Sequence, residues 1–210
     1  MQHRLIWFRD DLRVHDNSAL AAALQHEKPC QFSAVFLAAH KDWQSFAYGA
    51  NRLFYTEQLL RSLALELAKL GIQLQVVHLD TYQQQVDWIQ KFCKEQKVTD
   101  LYFNQEYQWN ERLRDHAIAN DLIGLNVHTF VDRVLTQPST VLTGDNRYYS
   151  VFSPFKKRWL SVYQDARVEP YILVSPKTQA VEPLSWDSLC SNPDSDLSAF
   201  ATTESKAQDD

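Results

Sequence analysis

The chain has 210 residues, of which 45% are hydrophobic and 22% charged, and its net charge of −5 gives a pI near 5.8. This composition is typical of a globular protein, and the length suits one α/β domain with a tail better than two very small domains. Without a basic stripe, such an acidic chain is a poor partner for duplex DNA or an anionic membrane surface.

The first part of the chain alternates apolar runs with a helical pattern. Residues 4–8 predict a first strand that ends in a loop rich in charged side chains. Asp16 or Asn17 can cap the following helix, which continues to Leu24. Residues 32–37 predict a second strand, and this strand is apolar throughout, as is typical when helices cover both faces of a sheet.

The middle of the chain continues this alternation. A leucine stripe over residues 51–70 predicts a long amphipathic helix, which Gly71 ends. Residues 72–78 predict a third strand, and Thr81 caps the helix that follows it. Residues 98–103 predict a fourth strand.

After a polar, aromatic loop, residues 109–122 predict a helix and residues 125–130 a fifth strand. Five strands alternating with helices predict βαβ units with right-handed crossovers, and therefore an α/β fold with a parallel sheet. Turn residues over 134–150 indicate an irregular excursion, and a short basic helix begins at Ser153. We divide the chain into a domain core (1–132), an excursion with the final helix of the same domain (133–165), and a proline-rich, acidic linker or tail (166–210), whose end we expect to be disordered or surface-lying.

Cysteine and histidine positions bear on metal sites and on the cellular compartment. Cys30, Cys93 and Cys190 are widely spaced and form no CxxC pair, so we expect neither a metal site nor a disulfide framework, and a reducing cytoplasm fits. The seven histidines share no metal-ligand spacing. No apolar run approaches the length of a membrane span and we see no signal peptide, so we expect no membrane partner.

Three segments in the right order resemble the DNA photolyase and cryptochrome family. They are WFRDDLRVHDN (7–17), NQEYQWNER (104–112) and LTGDNRYYSVFSPFKKRW (142–159). The resemblance covers roughly residues 3–186 and is closest to bacterial cyclobutane pyrimidine dimer photolyases of the folate type. It implies a doubly wound, Rossmann-like sheet with strand order 3-2-1-4-5 and helices on both faces.

The resemblance also implies a function. In this family the α/β domain holds a light-harvesting antenna chromophore, and an all-helical domain binds FAD and damaged DNA. The chain therefore resembles the antenna-binding domain of a deoxyribodipyrimidine photolyase, with methenyltetrahydrofolate as its antenna. We expect the helical FAD domain to be missing from these residues, so damaged DNA would be reached only through the full-length enzyme. Alone, the chain should be inactive as a lyase, and we assign it no catalytic residue.

Asn110 and Glu111 are the first candidates for chromophore binding, because in folate-binding members an Asn-Glu pair in this motif contacts the pterin. A carboxylate can accept hydrogen bonds from the pterin amino group and the neighbouring ring N–H. The alternative is that Glu111 only favours the positive end of a helix. With the implied strand order, the loops 9–16 and 104–110 would face one crevice at the topological switch point.

Trp43 and Phe46, in the loop predicted after the second strand, are weaker candidates for the same site. Folate-type relatives tend to have a histidine near Phe46; an aromatic ring can stack on a pterin but cannot replace the imidazole hydrogen bond. Alternatively, Trp43, Phe46 and Tyr48 pack the loop onto the sheet or cover an interdomain face.

Two groups of charged residues have structural interpretations. Arg9, Asp11, Arg13 and Asp16 alternate in sign, so we expect a salt-bridged loop whose charges largely neutralise each other, although they could also form a polar wall of the crevice. The basic residues of segment 156–158 are too few to indicate nucleic-acid binding. They suit an amphipathic helix that packs on the sheet or on the missing domain.

Two other classes of function remain open. A stand-alone nucleotide-binding α/β module would need a glycine-rich phosphate loop, but the chain has only four glycines and no GxGxxG after its first strand. A non-catalytic interaction fragment would expose an apolar face and self-associate.

Overall fold

The computed structural model describes residues 2–25, 29–122, 124–165, 171, 179–189, 200–203 and 206. Its elements, in chain order, are β1 (Gln2–Phe8), α1 (Ser18–Leu24), β2 (Cys30–Ala39), α2 (His40–Ser45), α3 (Ala50–Lys69), β3 (Leu74–Leu79), α4 (Tyr82–Glu95), β4 (Asp100–Asn104), α5 (Trp109–Asp121), β5 (Asn126–Phe130) and α6 (Phe152–Asp165).

The five strands form one parallel sheet in the order β3-β2-β1-β4-β5, which confirms the predicted fold and strand order. The central strand β1 pairs with β2 along its whole length and with β4 through residues 4–6. Chain order reverses between β1 and β4, so the switch point lies beyond the carboxyl ends of these two strands. In open α/β sheets this is where ligands bind.

Helices cover both faces of the sheet, and the side chains of β1 alternate between the two faces. Leu5 and Trp7 belong to the core that packs against α4 and α5, whereas Ile6 and Phe8 belong to the core beneath α1 and α3. All four side chains are at most 1% exposed. An apolar run that fills two cores explains why β1 reads as continuous rather than alternating.

Most local predictions are confirmed by specific contacts. Asn17 caps α1, since its side-chain oxygen accepts a hydrogen bond from the Leu20 backbone N–H. Thr81 caps α4 in a capping box with Gln84, in which each side chain accepts a hydrogen bond from the backbone N–H of the other residue. Gly71 follows α3 with a positive φ of 74°, the backbone conformation that favours glycine.

One prediction is wrong, and another is settled only in part. The segment after β2 was predicted as a loop, but it forms the short helix α2, which begins without a side-chain cap. The basic helix α6 was predicted to pack either on the sheet or on a missing domain. The structure does not show it on the sheet, and packing on a missing domain stays a prediction. Its Phe152 side chain is 70% exposed, and Leu160 and Tyr163 are also exposed. Phe152 instead contacts Phe155 of the same helix, and Trp159 stacks on Tyr163.

Part of the predicted linker lies along α3. The Val181 N–H donates to the Ala68 carbonyl, and Leu189 is buried with its N–H donating to the Glu57 carboxylate. The end expected to be disordered or surface-lying, residues 191–210, falls mostly outside the described residues; within it, Phe200 is described and is 56% exposed. None of the described helices has the length and hydropathy to cross a membrane.

Candidate functional site

A small cavity lies at the carboxyl edge of the sheet, beside the switch point. We call it the crevice cavity; it encloses about 30 Å³, room for about two or three water molecules at 10–15 Å³ each. Side chains from the β1–α1, α2–α3 and β4–α5 loops and from α2, α3, α4 and α5 line it, among them Arg9, Asp10, Trp43, Tyr48, Tyr82, Glu106, Glu111 and Arg114. Both loops expected at this edge therefore reach the same space.

A buried polar network, which we call the switch-point network, holds the β1–α1 turn against β4. The Asp11 carboxylate accepts hydrogen bonds from the Arg9 backbone N–H (2.8 Å) and from the side-chain amides of Asn104 (2.6 Å) and Asn17 (3.2 Å). The Asn104 amide also donates to the Asn17 side-chain oxygen at 3.0 Å. Buried polar groups need such partners, so this network fixes the floor of the site.

The same network occupies the N-terminus of α1. The backbone N–H of Ser18 donates to Asp132 (2.9 Å), and that of Ala19 donates to the Asn104 side chain (3.1 Å). The next N–H, of Leu20, donates to Asn17 at 3.0 Å. The helix end at which dinucleotide-binding folds place a phosphate is therefore already occupied by acceptors of the protein, one of them a carboxylate.

Two buried arginines pack on Trp7 behind the cavity. The Cζ atoms of Arg9 and Arg114 lie 4.9 and 4.6 Å from the Trp7 ring centroid. Arg9 pairs with Asp115 and Arg114 with Glu106, each at 2.6 Å. Burial alone would raise the pKa of the Glu106 carboxyl, but Arg9 and Arg114 lower it below its usual value. The Arg9–Asp115 pair joins the end of β1 to α5, and the Arg114–Glu106 pair joins α5 to the loop before it.

The prediction that the charges of the β1–α1 loop neutralise each other is therefore wrong in its pairing. The ion pairs of Arg9 and Arg13 go to Asp115 and Asp132, more than a hundred residues away in the chain. The interpretation of a loop held by salt bridges is right, but the partners come from α5 and from the segment after β5, because the fold brings these elements to the same sheet edge.

Glu111 stands in the first turn of α5 and is 7% exposed. The Tyr82 hydroxyl donates a hydrogen bond to its Oε1 at 2.8 Å. Burial and this hydrogen bond to Glu111 raise the pKa of Tyr82, so the hydroxyl keeps its proton and acts as the donor. A carboxylate with one hydroxyl donor can accept further hydrogen bonds.

The other predicted site residues surround Tyr82. Asn110 and Phe46 line a second, open depression of about 250 Å³, which we call the outer groove. Phe46 is 47% exposed and stacks on Tyr82, with centroids 6.3 Å apart. Trp43 is 9% exposed, lines the crevice cavity and stacks on Tyr48 at 5.7 Å. Trp43 is thus largely a packing residue, whereas Phe46 offers an open ring face.

The sequence did not point to Tyr82 or Arg52 and suggested only a packing or covering role for Tyr48, yet all three side chains line the crevice cavity. The Arg52 guanidinium lies over the Tyr48 ring at 3.7 Å and pairs with Asp10 at 3.7 Å. One signal could have identified Tyr82: it follows β3, whose carboxyl end lies at the same edge as those of β1 and β4. Among the described residues, no cluster of three or more His, Cys, Asp or Glu side chains could hold a metal ion.

A sequence model of the family described as DNA photolyase matches residues 4–176. The chain belongs to the DNA photolyase family. It is 33% identical over 180 residues to the deoxyribodipyrimidine photo-lyase of Escherichia coli K12, an alignment that covers 86% of this chain and 38% of that protein. It is 36% identical over 160 residues to the enzyme of the same name from Buchnera aphidicola of Acyrthosiphon pisum, covering 75% of this chain and 33% of that protein. This photolyase-family chain thus spans about a third of the length of these relatives.

Solved structures share the fold of this photolyase-family chain. A cryptochrome from Synechocystis sp. PCC6803 has a TM-score of 0.69 and 22% identity, covering 91% of this chain and 41% of that one. An archaeal photolyase from Sulfolobus tokodaii, described as holding two FAD molecules with a novel light-harvesting cofactor implied, has a TM-score of 0.65 and 21% identity; the match covers 87% of this chain and 39% of that one.

Proposed function

We propose that this chain is the light-harvesting chromophore-binding domain of a deoxyribodipyrimidine photolyase, and that a methenyltetrahydrofolate antenna binds where the crevice cavity meets the outer groove. The observation that carries the proposal is the position of Glu111. It is a buried carboxylate at the switch-point edge, and Asn110 and Phe46 stand beside it in the adjoining groove.

The residues at this place fit a pterin. Glu111 would accept hydrogen bonds from the pterin amino group and ring N–H, while the Asn110 amide can both donate and accept. The exposed face of Phe46 would stack on the ring, and Trp43 would support it from the core side. The pigment would supply absorption of near-ultraviolet or blue light. The residues of the chain bind it, orient it and keep water from its polar edge.

The surface that contacts the rest of the full-length enzyme would lie on α6. Four aromatic side chains, Phe152, Phe155, Trp159 and Tyr163, recur at helical spacing, and Phe152 is 70% exposed. In the full-length enzyme this stripe would dock on the helical domain that binds FAD and, through it, damaged DNA. The chain itself would contribute no catalytic residue. We retain the proposed division into core, excursion and linker at residues 132 and 165.

The contacts at α1 speak against a stand-alone nucleotide-binding module. Its first N–H groups bond to Asn17, Asn104 and Asp132, so a phosphate would meet filled donors and a carboxylate. The interaction-fragment alternative predicts self-association through exposed apolar side chains, which sedimentation velocity would detect. It does not explain a buried Glu111 beside Asn110.

Titration of the purified chain with 5,10-methenyltetrahydrofolate, followed by absorption and pigment fluorescence, tests this function. We expect saturable binding that weakens about tenfold or more in Glu111→Gln, because a charge-assisted hydrogen bond becomes a neutral one. Glu95→Gln, an exposed position at the end of α4, is the matched control and should bind as the wild type does. Binding of ATP or FMN in place of the folate would favour a nucleotide module and overturn the proposal.

A further inference from the structure

Tyr82 and Arg114 form the wall that separates the crevice cavity from the outer groove, since both side chains line both spaces. Glu111 faces the cavity and Asn110 faces the groove. The cavity measures about 30 Å³ and the groove about 250 Å³, whereas pockets for organic ligands start at about 300 Å³. A bicyclic ring can therefore reach Glu111 and Asn110 together only if part of this wall moves.

The two halves of the wall are held very differently. Arg114 is 6% exposed and bonds to three side chains: Glu106 at 2.6 Å, Asp115 at 2.9 Å and Gln85 at 3.0 Å. The Tyr82 side chain is half-buried, and its hydroxyl is hydrogen-bonded to Glu111. Rotation of Arg114 would leave buried carboxylates without their partner, which is costly. Tyr82 is the part of the wall that can rotate.

The backbone of Tyr82 is anchored, while its ring lies between the exposed Phe46 and the firmly held Arg114. The Tyr82 N–H donates to the Asp42 carboxylate at 2.6 Å in the first turn of α4. The ring stacks on the exposed Phe46 on one side and lies 5.4 Å from the Arg114 guanidinium on the other. A change between staggered side-chain rotamers would therefore open the wall without moving the helix.

We propose that Tyr82 is a gate: its hydroxyl tethers the ring to Glu111 in the pigment-free state, and the antenna binds only when the ring rotates away and the cavity joins the groove. This inference rests on the proposed function, because it concerns access to the same carboxylate. The antenna and Tyr82 compete for Glu111. The apparent affinity is then the intrinsic affinity multiplied by the fraction of molecules with the gate open.

The test compares Tyr82→Phe with Tyr107→Phe in the full chain. Tyr107 is the matched control, since its buried hydroxyl has no hydrogen-bond partner among the described residues. Loss of the tether should increase the open fraction, so we expect Tyr82→Phe to bind 5,10-methenyltetrahydrofolate about tenfold more tightly and to associate faster in stopped-flow fluorescence. The pigment-free variant should unfold at a lower temperature, because it has lost a hydrogen bond. Tyr107→Phe should change neither the affinity for the pigment nor the association rate.

The opposite signs of the two effects distinguish a gate from a merely structural residue, whose loss would weaken binding and stability together. If the wild type binds the pigment and Tyr82→Phe binds it equally or more weakly, the gate is refuted and the proposed function stands. If no variant binds the pigment, the proposed function fails and the gate fails with it. Tyr82→Leu, which removes the hydroxyl and the ring, repeats the comparison should Tyr82→Phe not fold.

Discussion

Replacing Asn104 by alanine should lower the free energy of unfolding more than the same replacement at an exposed asparagine would. The Asn104 side chain accepts a hydrogen bond from the Ala19 N–H and donates to Asp11 and to Asn17. Asn104 is 2% exposed and Asp11 is 4% exposed. The alanine variant would leave a buried N–H without its acceptor and a buried carboxylate without its shortest donor, and water has little access to replace either.

The magnitude follows from these three hydrogen bonds. Each contributes a net 0.5–1.5 kcal/mol or so, and a buried group left without its partner costs about 1–3 kcal/mol more. Because the three bonds share one side chain their effects do not simply add, and we expect a loss of about 4 kcal/mol. With an m-value of about 2 kcal/mol/M, the urea midpoint should fall by about 2 M.

Urea unfolding followed by tryptophan fluorescence and by circular dichroism measures this loss. Asn120→Ala, at an exposed position on α5, is the control and should change the free energy of unfolding by less than about 0.5 kcal/mol. A midpoint for Asn104→Ala that matched the control would show that Asn104 does not hold the β1–α1 turn against β4. The switch-point network would then not fix the floor of the site.

Three further predictions concern the buried arginine, a histidine pair and a cysteine. Arg114→Met should cost about 3–5 kcal/mol in urea unfolding because it strands a buried carboxylate, whereas Met at the exposed Arg112 should change little; equal effects would contradict the buried pairing. Burial, and after it the adjacent His78, lower the pKa of His40 below its ordinary value of 6.5. As pH falls, His40 is therefore protonated in the unfolded chain before it is protonated in the folded one. Stability should therefore be fully present above pH 6.5 or so and decline below it, and His40→Gln should remove part of this slope between pH 7.5 and 5.5; an unchanged slope would refute the assignment. Burial raises the pKa of the Cys93 thiol to about 12, so iodoacetamide at pH 8 should label it only after unfolding, and rapid labelling of the folded chain in peptide mass spectrometry would contradict this.

Local structure could be predicted where the sequence carries its own signal. Thr81 and Gln84 form a capping box three residues apart, and Gly71 marks the end of α3. α2 was missed for two reasons. Its N-cap is Ala39, which has no side-chain acceptor, and it buries Trp43 alone, so its six residues form no apolar stripe. The strand order came from the family resemblance, since apolar runs alone do not specify which strands are neighbours.

The site could be predicted only in part, because its contacts join distant segments. The Asn-Glu motif located Glu111, but nothing in the sequence showed that the Tyr82 hydroxyl would bond to it across two helices. The charges of the β1–α1 loop were visible, whereas their partners Asp115 and Asp132 became neighbours only through the sheet order. Pairing of this kind depends on tertiary structure and leaves no local pattern.

A crystal structure of the chain grown with 5,10-methenyltetrahydrofolate would decide whether Glu111 receives the pigment. We expect the pterin edge within hydrogen-bond distance of the Glu111 carboxylate and beside Asn110, with the Tyr82 ring rotated out of the wall between cavity and groove. Pterin density elsewhere, at the N-terminus of α1 or against segment 134–148, with Tyr82 still bonded to Glu111, would contradict both the proposed site and its gate.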